Sequence, residues 1–128
     1  MEKLVYCDTH VIALLYIRDL SFLPRQANRL LESGHLLISP MVLVELEYLY
    51  EVGKTKTGAE KIFKELEKTL GLKICDQKFI NVAYGSLKQS WTRDPFDRLI
   101  VAQAAMTNSS LITRDEEIHK HYTHAVWD

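Results

Sequence analysis

The feature that most constrains this chain is an alternation of very short, wholly apolar runs with longer segments of helical periodicity. Leu4-Val5-Tyr6-Cys7, Leu36-Leu37-Ile38, Leu72 to Cys75, Leu111-Ile112 and the terminal Ala125-Val126-Trp127 read as strands, the last at a sheet edge. Between them, Thr9 to Ile17 reads as a helix, as does a segment opened by Pro24 and stopped at Gly34. So do the segment capped by Ser39 and begun by Pro40, ending near Gly53, and Gly58 to Leu70, Phe79 to Leu87 and Pro95 to Thr107. Strands without polar alternation are buried on both faces, the pattern of a parallel sheet clothed by helices. The expected fold is α/β, with a central, mostly parallel sheet of about four to five short strands flanked by helices.

The 128 residues suit one domain over 1–128, and 47% hydrophobic with 26% charged residues is an ordinary globular balance. Sixteen Lys and Arg against 17 Asp and Glu exclude a generally basic nucleic-acid binder, so any such contact must come from a local patch. No run approaches the ~18 apolar residues of a spanning helix. The run from Val11 to Ile17 is too short, and too acidic at its entry, for a signal peptide. Cys7 and Cys75 lie in apolar runs and match no zinc spacing, so they read as buried thiols of a reducing compartment. The expectation is a cytoplasmic protein with no membrane association.

In parallel α/β sheets, functional groups gather beyond the carboxyl ends of the strands. Asp8 directly follows the first strand, and Asp115 follows Leu111-Ile112 after Thr113 and Arg114. Each, taken alone, is explained as a helix cap. Glu45 shares a helix face with Met41, Tyr48 and Leu49, an apolar stripe in which a carboxylate is costly unless paired, metal-bound or reaching out to water. Glu47 and Glu51, four apart, read as solvated. Asp94 fits an N-cap before Pro95 at the first helical position. Asp97 is followed on its face by Ile100, Val101 and Ala104, and the alanines at 102, 104 and 105 let that helix pack close to the sheet and carry Asp97 inward. If Asp8, Glu45, Asp97 and Asp115 converge, they repel, and a hard divalent cation relieves the repulsion. Mg²⁺ or Mn²⁺ suits oxygen ligands and keeps several waters.

Those residues carry a resemblance to the PIN-domain family and, within it, to the VapC-like toxins of toxin–antitoxin pairs. It runs nearly end to end. It comprises Tyr6-Cys7-Asp8-Thr9-His10-Val11, Ser39-Pro40-Met41-Val42-Leu43-Val44-Glu45 and Arg93-Asp94-Pro95-Phe96-Asp97-Arg98-Leu99-Ile100-Val101-Ala102-Gln103-Ala104. Leu111-Ile112-Thr113-Arg114-Asp115 and the terminal Val126-Trp127 complete it. Val44 and Thr92 depart from the family's frequent aromatic and His at those places. The resemblance implies a PIN-like three-layer sandwich with Asp8, Glu45, Asp97 and Asp115 as the metal-binding, catalytic acids. It implies Thr9, Ser39 and Thr113 as hydroxyls beside the metals, with Asp94 belonging to the motif mainly as the cap. The implied activity is Mg²⁺-dependent hydrolysis of RNA phosphodiester bonds, with Mn²⁺ able to substitute. A small antitoxin would hold the protein inactive, and a homodimer would form through the helices around 24–34 and 40–52.

Arg93, Arg98 and Arg114 flank three of the acids and are candidates for RNA contact or for ion pairs with those same acids. Between Lys54 and Lys78, seven lysines face four acids, a charge excess that suits either an RNA groove wall or a solvated helix face. His119, His121 and His124 fit no helical metal pair and read as free surface imidazoles, and His10 reads as packing beside the site. Trp91 and Tyr122 suit base stacking less well than burial. A phosphotransfer domain with Asp8 as nucleophile is disfavoured, because His10 stands where a second Asp is needed. A non-catalytic binding module of the same fold, or a housekeeping RNA-processing nuclease, are the remaining alternatives.

Overall fold

The computed structural model describes residues 3–17 and 20–128. Five strands, β1 (Leu4–Cys7), β2 (His35–Ile38), β3 (Lys73–Ile74), β4 (Ser110–Ile112) and β5 (Ala125–Val126), form one sheet in the order β3-β2-β1-β4-β5, every pairing parallel. The helices are α1 (Thr9–Ile17), α2 (Arg25–Ser33), α3 (Pro40–Glu51), α4 (Ala59–Leu70), α5 (Phe79–Ser86), α6 (Pro95–Ala105) and α7 (Glu116–His121). A 3₁₀ turn, Leu20–Phe22, lies before α2. This is the α/β fold with a parallel sheet that the alternation demands. The central strand is the most buried, with Val5, Tyr6 and Cys7 closed off from solvent.

The local signals act as their chemistry requires. Ser39 Oγ accepts from Met41 N at 3.1 Å and opens α3, with Pro40 at its first position. Asp94 accepts from Phe96 N at 2.8 Å and Asp97 N at 3.2 Å, and Asp115 accepts from Ile118 N at 2.9 Å. The α2 stop at Gly34 is a matter of space rather than of a left-handed turn. A Cβ there would lie 2.5 Å from Val5 Cγ2. By contrast, Gly71 ends α4 at φ 71°, in the left-handed region that glycine tolerates best.

One exposed residue differs from its sequence reading. Glu47 is not merely solvated: its Oε1 accepts from Ala59 N at 3.0 Å. Helix α4 begins after Gly58, which has no side chain to cap it, so a carboxylate from the neighbouring helix takes that place. The alanines of α6 also divide their work. Ala104 joins the main core, whereas Ala102 faces α5, 3.6 Å from where a Cβ on Gly85 would stand.

The three late histidines are exposed but not free. His119 Nε2 lies 2.7 Å from Thr113 O, His121 stacks on Trp91 at 5.0 Å, and His124 meets Tyr122 edge-on at 5.7 Å. Trp91 is half-buried, its Nε1 donating to Gln89 Oε1, and Tyr122 is buried, its hydroxyl donating to Ser109 O. Both cysteines are buried and free. Among the described residues, no helix is long and apolar enough to cross a membrane.

Candidate metal and nucleic-acid site

The strand order places the chemistry. The chain winds from β1 outward through β2 and β3, then returns to the other side of β1 with β4. The reversal lies between β1 and β4, and ligands of open α/β sheets bind beyond the carboxyl ends at such a point. Asp8 and Thr113 leave the sheet there, on adjacent strands, with Asp8 N donating to Ile112 O at 3.2 Å.

Asp8 is only 7% exposed. Its Oδ1 accepts from Val11 N at 2.9 Å, and its Oδ2 accepts from the Thr113 hydroxyl. Thr113 Oγ1 in turn accepts from Asp115 N at 3.0 Å, so one buried hydroxyl ties the two strand-end acids together. Thr9, also buried, donates through Oγ1 to Glu45 Oε1 at 2.5 Å and joins α1 to α3. Ser39 is buried, and its hydroxyl serves α3 as cap.

Burial raises the carboxyls of Asp8, Glu45 and Asp97 above the ordinary range. For Asp8, the bonds from Thr113 and Val11 N and the neighbouring His10 oppose the rise, while Asp115 adds to it. For Glu45, Thr9 and His10 oppose it, and Asp94 and Asp8 add to it. Asp97 has no such relief. Burial, then Asp94, Asp115, Glu45 and Asp8 in turn, push it up to about 7. The four acids of the sequence reading therefore lie within electrostatic reach of one another, with Asp94 beside them as well as capping α6. Glu45 sits at the rim of the interior rather than inside it, since Tyr48 on its own face is exposed while Leu49 is buried.

An open cavity of about 260 Å³ is lined by Asp8, His10, Val11, Arg114 and Asp115. His10 thus walls the site and faces two of its acids, a part larger than sequence reading assigned it; the only signal for it was its place two residues after Asp8. A larger cavity of about 400 Å³ lies at the opposite end of the sheet, by Lys3, Asn108 and His124, and has no acid in its wall.

The arginines separate. Arg93 Nη1 donates to Ser90 O at 2.8 Å and Arg98 Nε to Thr92 O at 2.7 Å, so both brace the loop before α6, and neither pairs with an acid among the described residues. Arg114 lines the cavity, its guanidinium 5.5 Å from the ring centre of Trp127.

Among the described residues, no three His, Cys, Asp or Glu side chains close into a ready-made metal cage. What the site offers is carboxylate oxygen from separate elements, with Asp8, Glu45 and Asp97 each raised in pKa first by burial and then by acid neighbours. That donor set fits a hard cation held by one or two carboxylates with waters completing its shell.

The PIN domain family model matches residues 5–123. The chain belongs to the PIN-domain family. Its members are generally nucleases that use divalent metals. Three solved structures share the fold. A toxin–antitoxin complex from Klebsiella pneumoniae has a TM-score of 0.64 and 20% identity, covering 95% of both chains. VapBC2 from Rickettsia felis, bound to a DNA fragment from their promoter, has a TM-score of 0.66 and 19% identity, covering 98% of this chain and 99% of that one. VapBC-1 from nontypeable Haemophilus influenzae has a TM-score of 0.66 and 17% identity, covering 98% and 96%. Comparison with curated proteins found no match.

Proposed function

We propose that this PIN-domain protein is a metal-dependent endoribonuclease, the toxin of a toxin–antitoxin pair. The observation that carries the reading is Asp97, a half-buried carboxyl pushed up to about 7 by burial and then by Asp94 at the cap of its own helix and by Asp115, Glu45 and Asp8 from three other segments. Such crowding is costly to folding, and a bound hard cation would relieve it. Asp8, Glu45, Asp97 and Asp115 would hold Mg²⁺, or Mn²⁺ in its place. When bound, the ion supplies an acidified water and neutralises charge on the phosphate.

The chain's own groups orient and fix. Thr113 holds Asp8 and the Asp115 backbone in one arrangement, and Thr9 does so for Glu45. Ser39 sets the start of α3, and Asp94 that of α6, on which Glu45 and Asp97 ride. Arg114, and His10 when protonated, offset the negative field that would otherwise turn a phosphate away. RNA as substrate and free buried thiols agree with a cytoplasmic location. Structural likeness to chains of toxin–antitoxin complexes supports the antitoxin partner. Purified protein is expected to cut single-stranded RNA with Mg²⁺, and Asp8→Asn to fold normally and not cut. An Asp8→Asn protein cleaving near the wild-type rate defeats the assignment.

The homodimer belongs to the same reading, with α5 in place of α2 in its surface. Helix α2 turns Ala27, Leu30 and Leu31 into the core. Exposed apolar side chains remain on α3, the second helix of that expectation, at Val44 and Tyr48, and lie also on α5 and its end, at Phe79, Ile80, Tyr84 and Leu87. Four large apolar groups on an eight-residue helix and its end form the kind of patch a partner copy covers. Light scattering should find a dimer for the wild type and a monomer for Tyr84→Glu with Leu87→Glu. A monomeric wild type removes this element.

A further inference from the structure

We propose that the site opens into a continuous basic furrow along α1 that carries one flank of a single-stranded RNA substrate toward Lys54 and Lys56. The inference rests on the nuclease reading above. The acid-lined cavity and a second one of about 280 Å³ share His10 and Arg114 as a common wall. The second shares Ala13, Ile17, Lys54 and Thr55 with a third, of about 650 Å³, by the turn between α3 and α4. The three are therefore one path, leaving Asp8 and Asp115, crossing α1 and ending at that turn.

Charge is segregated along it. Beyond Asp8 and Asp115, the described walls carry His10, Arg114, Lys54 and Lys56, and no acid. A chain with formal charge −1 overall thus gathers Arg114, Lys54 and Lys56, none of them in an ion pair among the described residues, where a phosphate backbone leaving the acids would run. The wide end adds apolar wall from Tyr16, Ile17 and Ile62, which suits unstacked bases rather than a duplex. The turn is fixed in place. Gly53 adopts φ 82°, and the amides of Lys54 and Thr55 both donate to Leu49 O, at 2.8 and 3.3 Å. An acidic peptide would also meet these cations. RNA is favoured because the path begins at the groups proposed to hold the phosphate being cut.

The test compares wild type, Lys54→Ala with Lys56→Ala, and a control, Lys68→Ala with Lys73→Ala. The control removes the same charge from exposed positions outside the furrow. Each is assayed on a single-stranded RNA over a range of salt. For the furrow variant, KM is expected to rise ~10-fold near 0.1 M salt, the change falling on KM rather than kcat. The slope of log KM against log salt should flatten by about 1.4, two phosphate contacts' worth for a single strand. The control should match wild type. Fluorescence anisotropy of a labelled oligonucleotide in EDTA reads the furrow without cleavage and should show the same loss of slope.

Wild-type cleavage with an unchanged KM and slope in the furrow variant overturns the furrow and leaves the nuclease standing. Equal losses in the control overturn it as well, showing diffuse attraction only. Unchanged RNA binding with weakened binding of an inhibitory protein makes the furrow a protein-docking surface and overturns it too. A wild type that binds RNA with the expected slope but cuts none supports the furrow and defeats the nuclease.

Discussion

Asp97→Asn is expected to lower RNA cleavage by ~10³-fold or more while making the metal-free protein more stable. The two effects have one cause. Asp97 is half-buried at the start of α6, where burial and then Asp94, Asp115, Glu45 and Asp8 raise its carboxyl to about 7. Above that pH it is ionised against four like charges, and folding must absorb the repulsion. Asparagine keeps the size and removes the charge, so the cost disappears together with an oxygen that the proposed cation would need. At pH 8 in EDTA the variant's melting temperature should rise by roughly 5 °C, after allowance for partial exposure. Calorimetry and a labelled-RNA assay read both effects. A variant that is inactive because it is less stable, or that stays active, contradicts this role for Asp97. Function here is held against stability, as at many sites.

Chelation should abolish cleavage completely, Mg²⁺ or Mn²⁺ should restore it, and the ion's effect on stability should grow with pH. Asp97 has a folded pKa of about 7, above its ordinary 3.8, and Asp8 and Glu45 shift in the same direction. Over that interval the folded state binds more protons than the unfolded one. Stability of the metal-free protein is therefore full at low pH, declines as pH rises from about 4 through 7, and levels off above. A divalent cation competes with those protons and binds the ionised carboxyls, so it adds little at pH 5. At pH 8 it adds ~2.7 kcal/mol when present at 100 times its dissociation constant. Thermal melts in EDTA and in Mg²⁺ at unit pH steps test this. Melting temperatures in EDTA that climb from pH 5 to 8, or an equal Mg²⁺ effect at both ends, would show that the acids are not gathered as described.

What could be read from the chain followed the range of the interactions involved. Helix starts are local: Ser39-Pro40 and Asp94-Pro95 each carry cap and first turn within a few residues, and both act as their types require. Strands with no polar alternation announced a sheet covered on both faces. Glu47 escaped, because the amide it caps is 12 residues away on another helix and nothing near Glu47 signals it. The arginines escaped for the same kind of reason. Adjacency to Asp94 and Asp97 left Arg93 and Arg98 open to RNA contact or to ion pairs, and nothing in it pointed to the loop carbonyls of Ser90 and Thr92 that they bond.

Strands, helices, caps and the acids that stand at strand ends or on inward faces were already legible along the chain, since these depend on periodicity and neighbours within a turn or two. It took the folded chain to show that β4 returns beside β1, and with it that Thr113 bonds Asp8 across 105 positions. Only it decided that Asp97 feels four other carboxyls and that His10 and Arg114 open the site toward Lys54. Those are relations between distant parts of the chain, and they come into being when the sheet closes.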